Sequence, residues 1–468
     1  MPRSAPARSR LVAAQLERCQ SGAVKRHRKL GPVLATIVVA GNMIGSGIFL
    51  LPATLASVGS VTLIGWLAAS LGAVALALLY GKLARRQPMA GGPASYVFDA
   101  FGPFAGMQVS LWYWTSCLIG NVAIATAASG YLLAFLGVAP GPAATAFVTI
   151  TLLWLATAVN MVSPRFAGIF NGPLLLAGLV PLLVVGTVGW LTFDAEQFKA
   201  NWNVSGLSDP AAIKESLVLV FWAYLGLESA SVAAAVVEEP ERNVARATVA
   251  GVLLAALIYM VVSAAIMGLA PAGELAQSTA PFALVAGKMF GSMAIPLVAL
   301  AGMLKALGTL AGWILLTAQC SRAAADHGLL PQVFARTRAG DTPVAGLMTA
   351  GIVGSAGVLI TISPTLGQQF GLLSEASTIF CLLMYLASCA AAIKYRLTGA
   401  WPLSAVGGAF CLCAIAWSST PSLKATAVCL VVLALFYLPV MRRKYLLPDP
   451  AVRTGELQKL RERHDDAR

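Results

Sequence analysis

The chain has 468 residues, 58% of them hydrophobic and 11% charged, with a mean hydropathy of +0.79. An ordinary soluble domain carries roughly 25% charged residues, so this composition excludes a water-soluble globule and describes an integral membrane protein. The net charge of +13 could suggest nucleic acid, but no aromatic residues interleave the basic runs, which excludes that partner in favour of a lipid bilayer.

Taken in chain order, apolar blocks lie near residues 32–55, 61–83, 104–135, 143–162, 168–192, 212–237, 246–270, 291–318, 344–364, 369–393, 401–418 and 423–441. Each approaches the ~20 residues that an α-helix needs to cross the hydrocarbon. Unbroken runs without two-residue alternation predict helices and exclude a barrel. The expectation is an all-α integral membrane protein of 12 transmembrane helices. The first block has no small-residue cleavage site behind it and reads as an anchor, not a signal peptide. Basic residues gather before the first block (Arg3, Arg8, Arg10, Lys25, Arg26, Arg28, Lys29), after the second (Lys82, Arg85, Arg86), after the eighth (Arg322, Arg336, Arg338) and after the last (Arg442, Arg443, Lys444). Excess Lys and Arg mark the cytoplasmic side, so both termini are expected there.

The first block carries the main irregularity. In "VVAGNMIGSGIFLLP", residues 38–52, Gly45, Ser46 and Gly47 follow one another at mid-depth, with Asn42 one turn before. Gly41-x-x-x-Gly45 alone could be a close helix contact. Three consecutive helix-weakening residues ask for more, namely a broken helix whose freed backbone groups line a cavity. A nucleotide loop is excluded, because "GNMIGSG" has no lysine and follows no strand. A second interruption is expected in the sixth block, at Trp222, Gly226 and Glu228. An acidic residue at that depth costs about 2.5–3.5 kcal/mol on insertion scales and marks function.

Seven of the eight cysteines sit in or at the edge of apolar blocks, and His27, His327 and His464 fall outside them. Neither a metal site nor a cofactor is expected, and no paired catalytic groups share a face, so the chain is not expected to be an enzyme.

The stretches "GNMIGSGIFLLPATLAS", "GPFAGMQVSLWYWTSCLIGN", "NWNVSGL", "GLESASVAAAVVEEPERNV", "AGWILLTAQCSRAAADHGLLPQVFAR" and "TPVAGL" resemble the basic amino acid/polyamine antiporters of the amino acid–polyamine–organocation superfamily, over about residues 30–445. The arginine/agmatine exchangers of acid-resistance systems are the nearest members in this reading, with lysine/cadaverine and ornithine/putrescine exchange as alternatives. The resemblance implies a bacterial inner-membrane homodimer with a LeuT-type 5+5 inverted repeat, broken helices 1 and 6, and two extra helices. Its parts would be a basic tail (1–31), a first repeat (32–192), a second repeat (212–393), the added pair (401–441) and a C-terminal tail (442–468).

Carried across residue by residue, the resemblance puts Asn42 and Gly226 in the substrate site, and Ser46 and Gly47 on the substrate carboxylate. Carbonyls around Met43, Trp222 and Leu225 would take the α-ammonium. Asn121, with carbonyls near Ser116 and Cys117, would take the distal cation; Trp222 would lie under it, Trp313 on the aliphatic stem, and Ser377 would add a hydroxyl. Tyr113, Glu228 and Trp313 would gate or couple transport. The chain departs from the family pattern at Ala223 and Ala94, with Tyr96 retained, and most of all at Lys305 and Glu375, two charges inside predicted spans. Lys305, Thr309 and Gly312 share one helical face, expected to look toward the site, and an isolated ammonium there is costly. Lys305 is therefore expected to pair with Glu375 first or else Glu228, the two mid-span carboxylates, or to stand where ion-coupled relatives hold a cation. The rival functional readings are a proton-coupled amino acid importer with Glu228 as carrier, and a membrane sensor of the same fold.

Overall fold

The structure is a computed structural model that describes residues 31–435 apart from 46, 88–91, 140, 163–173, 175–177, 229–236, 327–329, 339–341 and 364. The first half contains α1 (Pro32–Met43), α2 (Gly47–Ala56), α3 (Thr62–Arg86), α4 (Pro93–Phe101), α5 (Pro103–Leu136), α6 (Pro142–Val162) and α7 (Gly178–Thr192). A short α8 (Ala195–Ala200) leads to α9 (Asp209–Phe221), and α10 (Pro240–Leu269), α11 (Ala272–Gln277) and α12 (Pro281–Phe290) follow. The remainder is α13 (Ala294–Asp326), α14 (Val344–Ile360), α15 (Leu366–Lys394), α16 (Ala400–Ala416) and α17 (Thr420–Leu435).

Helix overlaps each of the twelve predicted apolar blocks, but the blocks are not twelve uniform spans. Among the described residues six helices, α3, α5, α6, α10, α13 and α15, are long and apolar enough to cross a membrane alone; counting the bent pairs α1+α2 and α16+α17 as single spans brings the number to eight. The 17 residues of α14 reach only about 25 Å. An apolar block is thus longer than its helix wherever a break interrupts it, as between Met43 and Gly47 in the first block. Helix α5 packs against both α13 and α15, and α10 packs against α3 and α1.

Connections at one end are tied by a single side chain. Asn201 Nδ2 donates to the carbonyls of Met267 and Ala270 at 2.7 and 2.9 Å, and its Oδ1 accepts from Ala272 N at 2.9 Å. Its own carbonyl receives Ser60 N at 2.8 Å, beside Gly59, whose φ of +115° and contact with the Asn201 and Trp202 carbonyls leave no room for a side chain. The next loop is held by Asp209, whose carboxyl lies below the usual carboxylate range because Trp202 and Asn203 donate to it.

The corner between α16 and α17 turns by 109° and is secured by Glu375 of α15. A helix start leaves N–H groups without intrahelical partners. Ser419 N donates to Glu375 Oε1 at 2.5 Å, while Ser419 Oγ and Ser422 Oγ donate to Oε2 at 2.6 and 2.7 Å. The expected Lys305–Glu375 ion pair is not formed. Hydroxyl and N–H donors satisfy this carboxylate where the charge count had pointed to an ammonium.

Removing Glu375 takes the acceptor from the N–H and hydroxyl of the exposed Ser419 and from the hydroxyl of the buried Ser422, so Glu375→Ala should lose about 1 kcal/mol of stability. Glu375→Gln, which retains one acceptor oxygen, should lose less. Thermal unfolding in detergent reads the difference, and an unchanged Glu375→Ala midpoint would show that the corner is held by other contacts.

Candidate functional site

Both predicted interruptions are present, and they face each other. α1 ends with Ile44 N on Ala40 O and Gly45 N on Met43 O, at 2.7 and 2.6 Å, and helix resumes at Gly47. α9 passes into a 3₁₀ turn, Trp222–Tyr224, then Leu225 extends and Gly226 takes φ +101°. A Cβ on Gly226 would sit 3.5 Å from Asn42 C, Cβ and O, an ordinary contact, so the two breaks adjoin here and it is the turn's positive φ that calls for glycine. Ser46 lies outside the described residues.

Glycines set the remaining walls. A Cβ on Gly47 would stand 2.9 Å from Trp222 Cδ1, and one on Gly120 of α5 would stand 3.2 Å from Trp222 Cη2 and 3.3 Å from Ser377 Oγ. Trp222 is therefore clasped between two glycines, with Phe370 edge-on at 6.2 Å. The Gly41-x-x-x-Gly45 pair resolves differently at its two ends: Gly41 has nothing within 4 Å of its would-be Cβ, and Gly45 meets Thr309 Cγ2 at 3.1 Å. Only Gly45 is a packing glycine.

Gly41 instead lines a cavity of about 310 Å³ with Asn42, Tyr113, Gly226, Thr309 and Trp313, and Leu316 and Gln319 mark its outer reach. A second space of only about 20 Å³ lies at the breaks themselves, between Met43, Gly45, Gly47, Trp222, Leu225 and Ile124. Asn42, Thr309 and Trp313 border both spaces. The larger volume is at the low end of small-molecule sites, and the smaller admits about one water. The half-buried Trp313 thus stands between a larger chamber and a much smaller space.

The other predicted residues fall into three groups. Ser116 and Ser377 are spent on each other: Ser377 Oγ donates to Ser116 O at 2.8 Å, and Ser116 Oγ lies 2.8 Å from both Ser377 O and Ser377 Oγ, beside Cys381 Sγ at 3.1 Å. Cys117 is fully buried. Asn121 donates Nδ2 to Thr317 Oγ1 at 2.9 Å, and Thr317 in turn donates to the Trp313 carbonyl at 2.8 Å. The Asn121 Oδ1 is buried and has no partner among the described residues. Glu228 is fully buried, and Tyr385 of α15 donates its hydroxyl to Glu228 Oε2 at 2.6 Å. Sequence reasoning missed Tyr385 and Gly120. Neither breaks a local pattern, and only their distant partners mark them.

Lys305 departs most from expectation. Thr309 and Gly312 line the chamber as their shared face predicted, but Lys305 is 1% exposed one turn away. Its stem lies where a side chain on Gly178 of α7 would be: a Cβ there would collide with Lys305 Cβ, Cγ and Cδ. No carboxylate of a described residue comes within 4.0 Å of its ammonium.

The Amino acid permease family profile matches residues 30–441. The cadaverine/lysine antiporter of Escherichia coli (strain K12) is 34% identical over 427 residues, covering 89% of this chain and 96% of that protein. The putrescine transporter PotE of the same strain is 36% identical over 368 residues, covering 79% of this chain and 84% of its own length, and its counterpart from Haemophilus influenzae is 34% identical over 366 residues, covering 78% and 84%. The chain belongs to the amino acid permease family. For this permease the arginine/agmatine likeness read from the motifs is not singled out, and relatives that carry cadaverine, lysine or putrescine in their names favour the alternative reading.

In the permease, the contact between Gly178 and Lys305 gives a direct test. Gly178→Val should cost about 1–3 kcal/mol through overpacking, measured as a lowered unfolding temperature in detergent. Adding Lys305→Gly, which also removes the Cβ that stands nearest, should restore part of the loss. Strict additivity of the two changes would mean the stem is not wedged on that glycine.

Proposed function

We propose that the permease is a membrane antiporter that exchanges a basic amino acid for its decarboxylated amine, with lysine and cadaverine as the leading pair. The observation that carries this is the meeting of two broken helices at Asn42 and Gly226 beside a chamber that Trp313 lines. The extended likeness to a cadaverine/lysine antiporter supports the choice of pair.

In this reading Ser46 and the start of α2 at Gly47 receive the substrate carboxylate, where the helix's positive pole favours an anion. Carbonyls near Met43, Trp222 and Leu225 take the α-ammonium. The distal ammonium goes to Asn121 Oδ1, which the fold leaves without a donor, and to the face of Trp222, where cation–π attraction contributes about 2 kcal/mol when water is excluded. Cadaverine carries a cation at both ends and lacks the carboxylate, so it needs the Asn121 and Trp222 end but not Gly47. Trp313, bordering both spaces, is the ring that moves between loading and release, and Tyr385 with Tyr113 steadies Glu228 beneath it. A homodimer of LeuT-type repeats with cytoplasmic termini completes the reading, and the distribution of basic loops supports that orientation.

Counterflow in proteoliposomes tests it. Vesicles loaded with cadaverine should take up external lysine well ahead of arginine and of short neutral amino acids, and Trp313→Leu should slow exchange. Asn121→Ala should weaken lysine more than a short neutral substrate. Uptake that needs no internal amine, only a proton gradient, would replace exchange with import, and a preference for arginine over lysine would reverse the choice of pair.

A further inference from the structure

Away from the transport site, a second cavity of about 520 Å³ opens between α3 and α10. Its α3 wall carries Leu78, Lys82 and Arg85, spaced four and three apart, and its α10 wall carries Arg246, Val249 and Leu253 at the same kind of spacing, so each helix turns one continuous face into it. Both walls are graded alike. Leu78 and Leu253 are 41% and 53% exposed, on the surface that also bears Leu71 and Leu257, while the basic residues close the other end, about 10 Å along each helix. The walls meet behind the cavity where Gly81 reaches Ala245: a Cβ on Gly81 would stand 2.7 Å from the Ala245 Cβ.

The basic end is held open and is not spent on ion pairs. Arg85 Nε donates to the Glu241 carbonyl at 3.2 Å, and Lys82 Nζ donates to Thr398 O at 2.7 Å, which fixes both cations while leaving further donors on each. No carboxylate of a described residue lies within 4.0 Å of Lys82, Arg85 or Arg246. The α10 N-terminus adds its positive pole at the same end. A positive-inside orientation would give such basic residues without any cavity between them; the cavity graded from apolar to cationic along the membrane normal is what needs an occupant.

We infer that this groove binds the phosphate headgroup of an anionic phospholipid of the cytoplasmic leaflet, with Lys82, Arg85 and Arg246 on the phosphate and an acyl chain running along Leu78 and Leu253. Basic pockets between membrane helices on the cytoplasmic side recognise such headgroups by charge, and the apolar extension distinguishes a lipid from a free anion. The assignment rests on the orientation proposed above but not on the transported substrate.

Delipidated full-length protein titrated with phosphatidylglycerol or phosphatidylcholine, with bound lipid read by native mass spectrometry, tests it. The wild type should hold phosphatidylglycerol in preference to phosphatidylcholine, and Lys82→Gln and Arg246→Gln should each weaken it about fivefold. Ala250→Trp, which fills the groove and keeps every charge, should also abolish the preference, and it decides the matter if the charge variants do not fold. Arg338→Gln, a basic change outside the groove, should leave the preference intact. Equal retention of the two lipids by wild type, undiminished phosphatidylglycerol binding in Ala250→Trp, or full displacement by millimolar inorganic phosphate would each overturn the lipid assignment, the last in favour of a plain anion site.

Discussion

A peptide group with no partner in hydrocarbon costs several kcal/mol, and this requirement organises the centre of the molecule. Two chain segments leave helix at the same depth, and each supplies the surroundings in which the other can do so. Part of the demand is met locally, by the turns at Met43–Gly45 and Trp222–Leu227. Part is met by tyrosines from neighbouring helices: Tyr259 of α10 donates to Ala223 O at 2.9 Å, and Tyr131 of α5 donates to Phe49 O at 2.8 Å. Tyr131 also receives Phe282 N at 3.3 Å, which joins α12 to the same group. Of the residues that border the narrow space between the breaks, Met43 and Trp222 already accept such bonds at their carbonyls, from Gly45 N and Leu225 N.

Much of this centre was legible in the sequence because it violates local rules. Glycine, serine and asparagine at mid-depth, and a carboxylate in an apolar run, are expensive enough to demand a reason, and the reason lay where the pattern pointed. Residues that obey local rules gave no such signal. Tyr385 reads as an ordinary aromatic of an apolar helix until Glu228, 157 positions earlier, is brought to its hydroxyl. Gly120 and Gly178 look like any small residue of a membrane helix, and only Trp222 and Lys305 show why nothing larger fits.

The failed ion pair teaches a related lesson. Reasoning from charge alone matched the mid-span cation Lys305 with an anion of equal depth, but a carboxylate can also be satisfied by neutral donors, and a helix start offers them in quantity. Glu375 found three at the α16–α17 corner. The spans follow a similar physical distinction, with twelve apolar blocks in the sequence and six to eight spanning helices among the described residues. Hydropathy measures how much chain avoids water, whereas spanning depends on how much of it is helical.

The wedge of Lys305 against Gly178 has a kinematic consequence. Helices that slide past one another need a groove free along the direction of travel, and interlocked side chains allow only sub-ångström shear before atoms overlap. With the lysine stem seated in the notch left by a missing side chain, α7 and α13 resist translation along their axes. They retain freedom to roll about the contact. The notch acts as a bearing between the two helices.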